Sequence, residues 1–105
     1  MDIKNYQAWV SEFYQERHWY QYNPFIRSNF LTEEVGELAQ AIRKYEIGRD
    51  RPDEEVPSQV ENLADIKEEL GDVLDNIFIL ADKYQISLED IMVAHKNKLE
   101  KRFDQ

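Results

Sequence analysis

Apolar positions recur along this chain in steps of three and four, in four separate stretches. From Asp2 to about Arg17 the series Ile3, Tyr6, Val10 and Phe13 predicts an amphipathic helix, with Asp2 as its N-cap. The following HWYQYNPF, His18 to Phe25, is aromatic-rich and ends in Asn-Pro, which disfavours helix at Asn23 and marks a connection. From about Pro24 to Ile47 the series Leu31, Val35, Leu38, Ile42 and Tyr45 restores the helical period; Pro24 suits a first turn and Gly48 a stop. Arg49 to Gln59, RDRPDEEVPSQ, has prolines, acids and no period, and reads as the main loop. Val60 to Tyr84 carries Leu63, Ile66, Leu70, Leu74, Ile77 and Ala81, a heptad-like seam. Ser87 to Asp90 comes close to a capping box, and the last helix would show Leu88, Met92, His95, Leu99 and Phe103 on one face. No stretch alternates as a strand, so the expectation is an all-α chain forming a single domain over residues 1–105.

Composition narrows the chemistry. At 105 residues the chain can bury only a modest core, a size at which association between copies often supplies the missing burial. The absence of Cys removes disulfides and thiolate metal sites, and with 2 His a zinc site rich in imidazole is disfavoured. No apolar run approaches the roughly 18 residues of a membrane span, and MDIKNYQAW lacks the features of a signal peptide, so a cytoplasmic protein without a membrane partner is expected. A net charge of -9 argues against a nucleic-acid polymer as partner, because such binding depends on basic side chains neutralising phosphates. Charge is nevertheless segregated: Lys96, Lys98, Lys101 and Arg102 make the C-terminal end basic.

The acids carry the candidate chemistry. EEVGEL from Glu33 and EELGDV from Glu68 share one design, with Gly36 and Gly71 in matching places. Glycine is unfavourable inside a helix by about 1 kcal/mol relative to Ala, so its recurrence suggests close approach of a backbone or a ligand. Residues three and four apart are neighbours on a helix, which pairs Glu34 with Glu37 and aligns Glu69, Asp72 and Asn76. Two such ladders facing each other would repel. A hard cation converts the repulsion into coordination, and an oxygen-only ligand set points to Mg2+, with Mn2+ as an alternative, over zinc. Against this stands the plain reading that acids on a helix form a solvated face.

EEVGE together with ELGD at Glu69 to Asp72 resembles the EExxE and ExxD signature of the MazG-like all-α nucleoside triphosphate pyrophosphohydrolases. ERHWYQYNPF is similar to the segment preceding the first motif in small dCTP-pyrophosphatase-like members, and KNKLEKRF resembles the Lys/Arg-bearing tail of MazG domains. The resemblance implies a four-to-five-helix MazG-type bundle completed by oligomerisation, as a homodimer or homotetramer. It implies Mg-dependent hydrolysis of an NTP or dNTP to the monophosphate and pyrophosphate. By the same resemblance Glu34, Glu37, Glu69 and Asp72 would ligate the metal, and Glu33 or Glu37 would accept the proton of the attacking water. Trp19 and Asn23 would meet the base, Asn76 the nucleotide, and Lys98 and Arg102 the phosphates. The interval between the two motifs is longer here than is common.

Other readings stay open on the sequence alone. A phosphoribosyl-ATP or dUTP hydrolase would use the same signature, and a non-catalytic acidic helical interaction module would need none of it. Trp9, Phe13, Trp19, Tyr22 and Phe25 could stack on a base or simply pack. Lys98 and Arg102 could form surface ion pairs. His18 is expected at the surface, and His95 as a hydrogen-bonded core histidine.

Overall fold

A computed structural model describes residues 1–48 and 59–103 of the chain. It contains four helices, α1 (Ile3–Glu16), α2 (Pro24–Ile47), α3 (Gln59–Lys83) and α4 (Leu88–Phe103), and no strand among the described residues. The protein is all-α, as the periodicity predicts. Residues 49–58, most of the expected main loop, lie outside the described residues.

Local chemistry sets the helix ends. The Asp2 carboxylate accepts from the Asn5 backbone N–H at 2.7 Å, satisfying one of the donors a helix start leaves unpaired. Ser87 Oγ accepts from the Asp90 N–H at 3.0 Å and opens α4 in the same way. Gly48, with φ of 92°, donates to the Lys44 carbonyl and closes α2 as the glycine placement predicts. The C-terminal ends of α1 and α3 use a device without glycine. His18 and Gln85 adopt φ of 60° and 58°, and each is flanked by the paired bonds of a Schellman motif. Trp19 N–H reaches the Tyr14 carbonyl and His18 N–H the Gln15 carbonyl; Ile86 N–H reaches Ala81 and Gln85 N–H reaches Asp82.

The chain divides into two compact units, one of residues 1–24 and 77–105, the other of residues 25–76. In the first, Val10 and Ile79 are fully buried and pack with Phe78, Ala81 and Leu88, with Tyr6, Tyr14, Tyr20 and Ile77 around them. Polar groups complete this core. Gln7 donates to the Ile86 carbonyl at 3.1 Å and accepts from the Leu88 N–H at 3.0 Å, so one amide ties down both strands of the turn between α3 and α4. Asp82 Oδ2 accepts from Ser11 Oγ at 2.7 Å and from the Tyr20 hydroxyl at 2.8 Å, and Lys83 donates to the Tyr20 carbonyl. Burial and the Asp82 bond push the Tyr20 pKa up to about 12.

The last helix departs from expectation. Beyond Leu88 every described residue of α4 is exposed, including Met92, His95, Leu99 and Phe103. His95 is therefore a surface side chain lining a shallow apolar groove with Ile91, Met92 and Leu99, not a core histidine. The second unit shows a similar offset. Ala41 is buried and Leu31, Leu38 and Ile66 are half-buried, while Val35, Ile42, Leu63, Leu70 and Leu74 remain exposed. The apolar stripe on each long helix is wider than the surface available to cover it, and part of the covered strip is given to polar side chains.

Candidate functional site

Those polar side chains follow one antiparallel register within the second unit. Near one end Arg27 Nη1 donates to Asn76 Oδ1 at 2.9 Å, and near the other Asn62 Nδ2 contacts the Lys44 carbonyl at 3.5 Å. Between these rungs lie the acids of the two motifs. Carboxylate oxygens of Glu34, Glu37 and Glu69 all fall within 4.8 Å of one another, with Glu34 and Glu69 half-buried and Glu37 exposed.

This is an electrostatically costly arrangement. Oε2 of Glu34 and Oε2 of Glu69 are both buried with no hydrogen-bond partner among the described residues. Burial is the largest cause that raises the Glu34 pKa to about 7, followed by the charge of Glu37 and a hydrogen bond with it, then Asp72 and Glu69. Glu69 is raised as well, by burial first and then by Glu37, Asp72 and Glu68. Three carboxylates converge, each further acid makes the others harder to ionise, and two lone-pair-bearing oxygens face no donor. Such a set fits a hard divalent cation, which is satisfied by oxygen alone. Glu34 and Glu69 differ from acids of a merely solvated face in keeping one oxygen each out of water, whereas Glu37 is exposed.

Asp72 stands slightly apart. It is half-buried and outside the group of three, yet close enough for its charge to raise both Glu34 and Glu69. Glu33 is exposed on α2 and does not join the group. Asn76 is 4% exposed, and its amide is fully engaged, with Oδ1 on Arg27 and Nδ2 donating to the Asp72 carbonyl at 2.9 Å. An added Cβ at Gly36 or Gly71 would meet nothing within 4 Å, so no contact among the described residues requires either glycine.

The remaining sequence candidates belong to the other unit. Trp19 is exposed and edge-on to Tyr14 at 5.5 Å, beside Phe13, whose ring carries the Arg17 guanidinium at 3.4 Å. Asn23 is exposed just before α2. Lys98 and Arg102 are exposed four residues apart on α4, with the Arg102 guanidinium 5.9 Å from the Phe103 ring; their neighbour Lys96 pairs with Glu100 at 2.8 Å.

Sequence reasoning passed over Arg27, 4% exposed in the first turn of α2. The signal was present: Arg27 precedes Glu34 by seven residues and Asn76 follows Glu69 by seven, a heptad step that returns each to its acid's own helix face.

Comparison with known proteins gives the family. Residues 27–105 match the MazG nucleotide pyrophosphohydrolase domain, a span that contains both acidic motifs. The chain is 56% identical over 104 residues to the uncharacterized protein YvdC of Bacillus subtilis (strain 168), covering 99% of this chain and 98% of that one. Its fold is similar to the crystal structure of YPJD from Bacillus subtilis, a provisionally assigned pyrophosphatase, with a TM-score of 0.70 at 27% identity over 98% of this chain and 94% of the other. The chain belongs to the MazG nucleotide pyrophosphohydrolase family.

Proposed function

We propose that the protein hydrolyses a nucleoside triphosphate, ribo or deoxy and canonical or modified, to the nucleoside monophosphate and pyrophosphate, with Mg2+ or Mn2+ held by the acids of α2 and α3. The observation that carries this reading is the convergence of Glu34, Glu37 and Glu69 within 4.8 Å, with an orphaned buried oxygen on two of them. The family assignment supplies the substrate class, and the likeness to YPJD, itself provisionally assigned as a pyrophosphatase, supports the reaction type.

Glu34, Glu37 and Glu69 would supply metal-ligand oxygens, with Asp72 completing the set. A bound divalent cation would neutralise charge developing on the phosphates and make a bound water easier to deprotonate. In the reaction, water adds to the α-phosphorus, the bond to the α–β bridging oxygen breaks, and the electron pair leaves on pyrophosphate. Glu37, the exposed member of the cluster, or its exposed neighbour Glu33, accepts the proton released by the water. Lys98 and Arg102 are the proposed phosphate contacts, and Trp19 and Asn23 the proposed base contacts, each on the resemblance stated above. Asn76, with its amide already engaged, serves the site from behind.

The family match crosses the boundary between the two units, which supports treating residues 1–105 as one functional domain. The bare apolar side of α4 supports assembly into a homodimer or homotetramer. No helix of the described residues is long and apolar enough to cross a membrane, in keeping with a cytoplasmic nucleotide enzyme.

The test is pyrophosphate release from a panel of ribo- and deoxynucleoside triphosphates, with and without Mg2+, for the natural chain, Glu37→Gln and Asp72→Asn. Metal-dependent release that both substitutions abolish is expected. Absence of release from every nucleotide, or full activity in both variants, would overturn the proposal and leave an acidic helical interaction module.

A further inference from the structure

We infer that Arg27 and Asn76 form a positioning pair for Asp72, fixing the α3 backbone there from the first turn of α2; the inference rests on reading the acid cluster as a metal site. Both residues are 4% exposed, and the bond between them is 2.9 Å. Only one orientation of the Asn76 amide serves both neighbours. A guanidinium can only donate and a backbone carbonyl can only accept, so Oδ1 must face Arg27 and Nδ2 must face the Asp72 carbonyl.

Helical side chains lean toward the N-terminus, so the Asn76 amide covers the turn that begins at Asp72. That carbonyl receives an extra donor from a buried amide, which holds the α3 backbone at Asp72. Asp72 is thereby kept on the side where its charge reaches Glu34 and Glu69.

Arg27 is a costly residue to place at this position. A cation in the first turn opposes the helix dipole, and a buried guanidinium carries a desolvation cost that apolar residues of similar volume would avoid. Its ring neighbour Phe30, at 5.1 Å, offsets part of this. The residue sits on the same ladder as the acids, one rung beyond Asp72, and acts through Asn76 without touching substrate.

The experiment separates positioning from packing. Arg27→Met, Asn76→Leu and the double variant are compared with the natural chain for thermal stability, equilibrium Mn2+ affinity, and kcat against KM for pyrophosphate release. Each single variant breaks the buried Arg27–Asn76 bond and should melt lower. The double variant removes both partners and should recover most of the melting temperature. Mn2+ affinity should nevertheless stay roughly tenfold weaker in the double variant, the size expected when support behind a ligand is lost, with kcat reduced more than KM. Asn76→Ala, which adds no volume and leaves no side-chain donor for the Asp72 carbonyl, should show the same weakening if the double variant does not fold. Natural Mn2+ affinity in a folded double variant, or in Asn76→Ala, would overturn the inference and leave the metal-site reading intact. A natural chain that binds no Mn2+ and releases no pyrophosphate would overturn both.

Discussion

Glu34 on α2 and Glu69 on α3 each keep one carboxylate oxygen buried and without a hydrogen-bond partner among the described residues, and both lie within 4.8 Å of Glu37. Two helices whose buried positions in this unit are Arg27, Ala41, Asn62 and Asn76 thus also give part of their covered strip to mutually repelling acids. Such a pair lowers the stability of the protein when no cation is bound, and the cost should be measurable.

The first consequence is a dependence of stability on pH. Glu34 has its pKa raised from 4.5 to about 7, by burial and by Glu37, Asp72 and Glu69. A carboxyl whose pKa is higher folded than unfolded binds its proton more tightly in the fold. Its contribution is therefore fully present below about pH 4.5 and lost as pH rises through about 7. Glu69 shifts in the same direction and adds to the slope. In chelator, the melting temperature should fall across this window. Millimolar Mg2+ should remove most of the fall, because the cation favours the ionised form. Melting curves at several pH values with and without Mg2+ decide it; a flat profile in chelator would count against the crowding of these acids.

Neutralising one acid should separate stability from metal binding. Glu34→Gln replaces a repelled oxygen with an amide that can donate to Glu37 or Glu69. In chelator near pH 8 it should stabilise the fold by about 1 kcal/mol, the value of one hydrogen bond gained, raising the melting temperature by about 4–8 °C for a domain of this size. The upward shift that Mg2+ gives the natural chain by binding only the folded state should disappear in this variant. Calorimetry with and without the metal reads both effects.

Much of this was legible in the chain and some was not, for identifiable reasons. Asp2, Ser87 and Gly48 act through their own side chain or backbone freedom, so the ends they set could be read locally. His18 and Gln85 hold left-handed turns without glycine, and the bonds that fix them, such as Ile86 N–H to Ala81, are properties of the folded turn. The acids of EEVGEL and EELGDV announced their spacing within each helix, but the register that brings Glu34, Glu37 and Glu69 together and leaves Asp72 outside the group is a property of the folded pair. Arg27 looked incidental because its partner, Asn76, is 49 residues away. Gln7 and Ser11 were overlooked because a helix face was expected to bury its apolar members first. Here the buried positions beside Val10 are polar and satisfied by the α3 to α4 turn and by Asp82.

The centre of the first unit gives a conventional test of packing. Ile79 is fully buried against Val10, Phe78 and Leu88. Ile79→Ala should cost about 2–5 kcal/mol, combining lost transfer energy with the cavity left behind. Asp82→Ala should cost less, roughly 1–3 kcal/mol, by leaving Ser11 and Tyr20 without their acceptor. Urea titration of the purified variants gives the order, and a smaller loss for Ile79→Ala than for Asp82→Ala would show that the polar network carries this unit.

The exposed side of α4 leads to the last expectation. Met92 is 52% exposed and Phe103 71% exposed, with Ile91 and Leu99 completing an apolar strip along the helix. A 105-residue chain covers too little of its own apolar surface to leave such a strip bare without consequence. A second copy is the economical cover, because the strip is flanked by the Lys96–Glu100 pair, which offers both signs of charge at its edge. Leu99→Glu places a charge in the strip without touching the Val10 and Ile79 core, so the helices should survive. The natural chain should elute as a dimer or larger at micromolar concentration, and Leu99→Glu should move it toward the monomer with its circular dichroism unchanged. If light scattering finds both chains monomeric, this face is not where copies meet, and the apolar side chains of α2 and α3 become the next surface to alter.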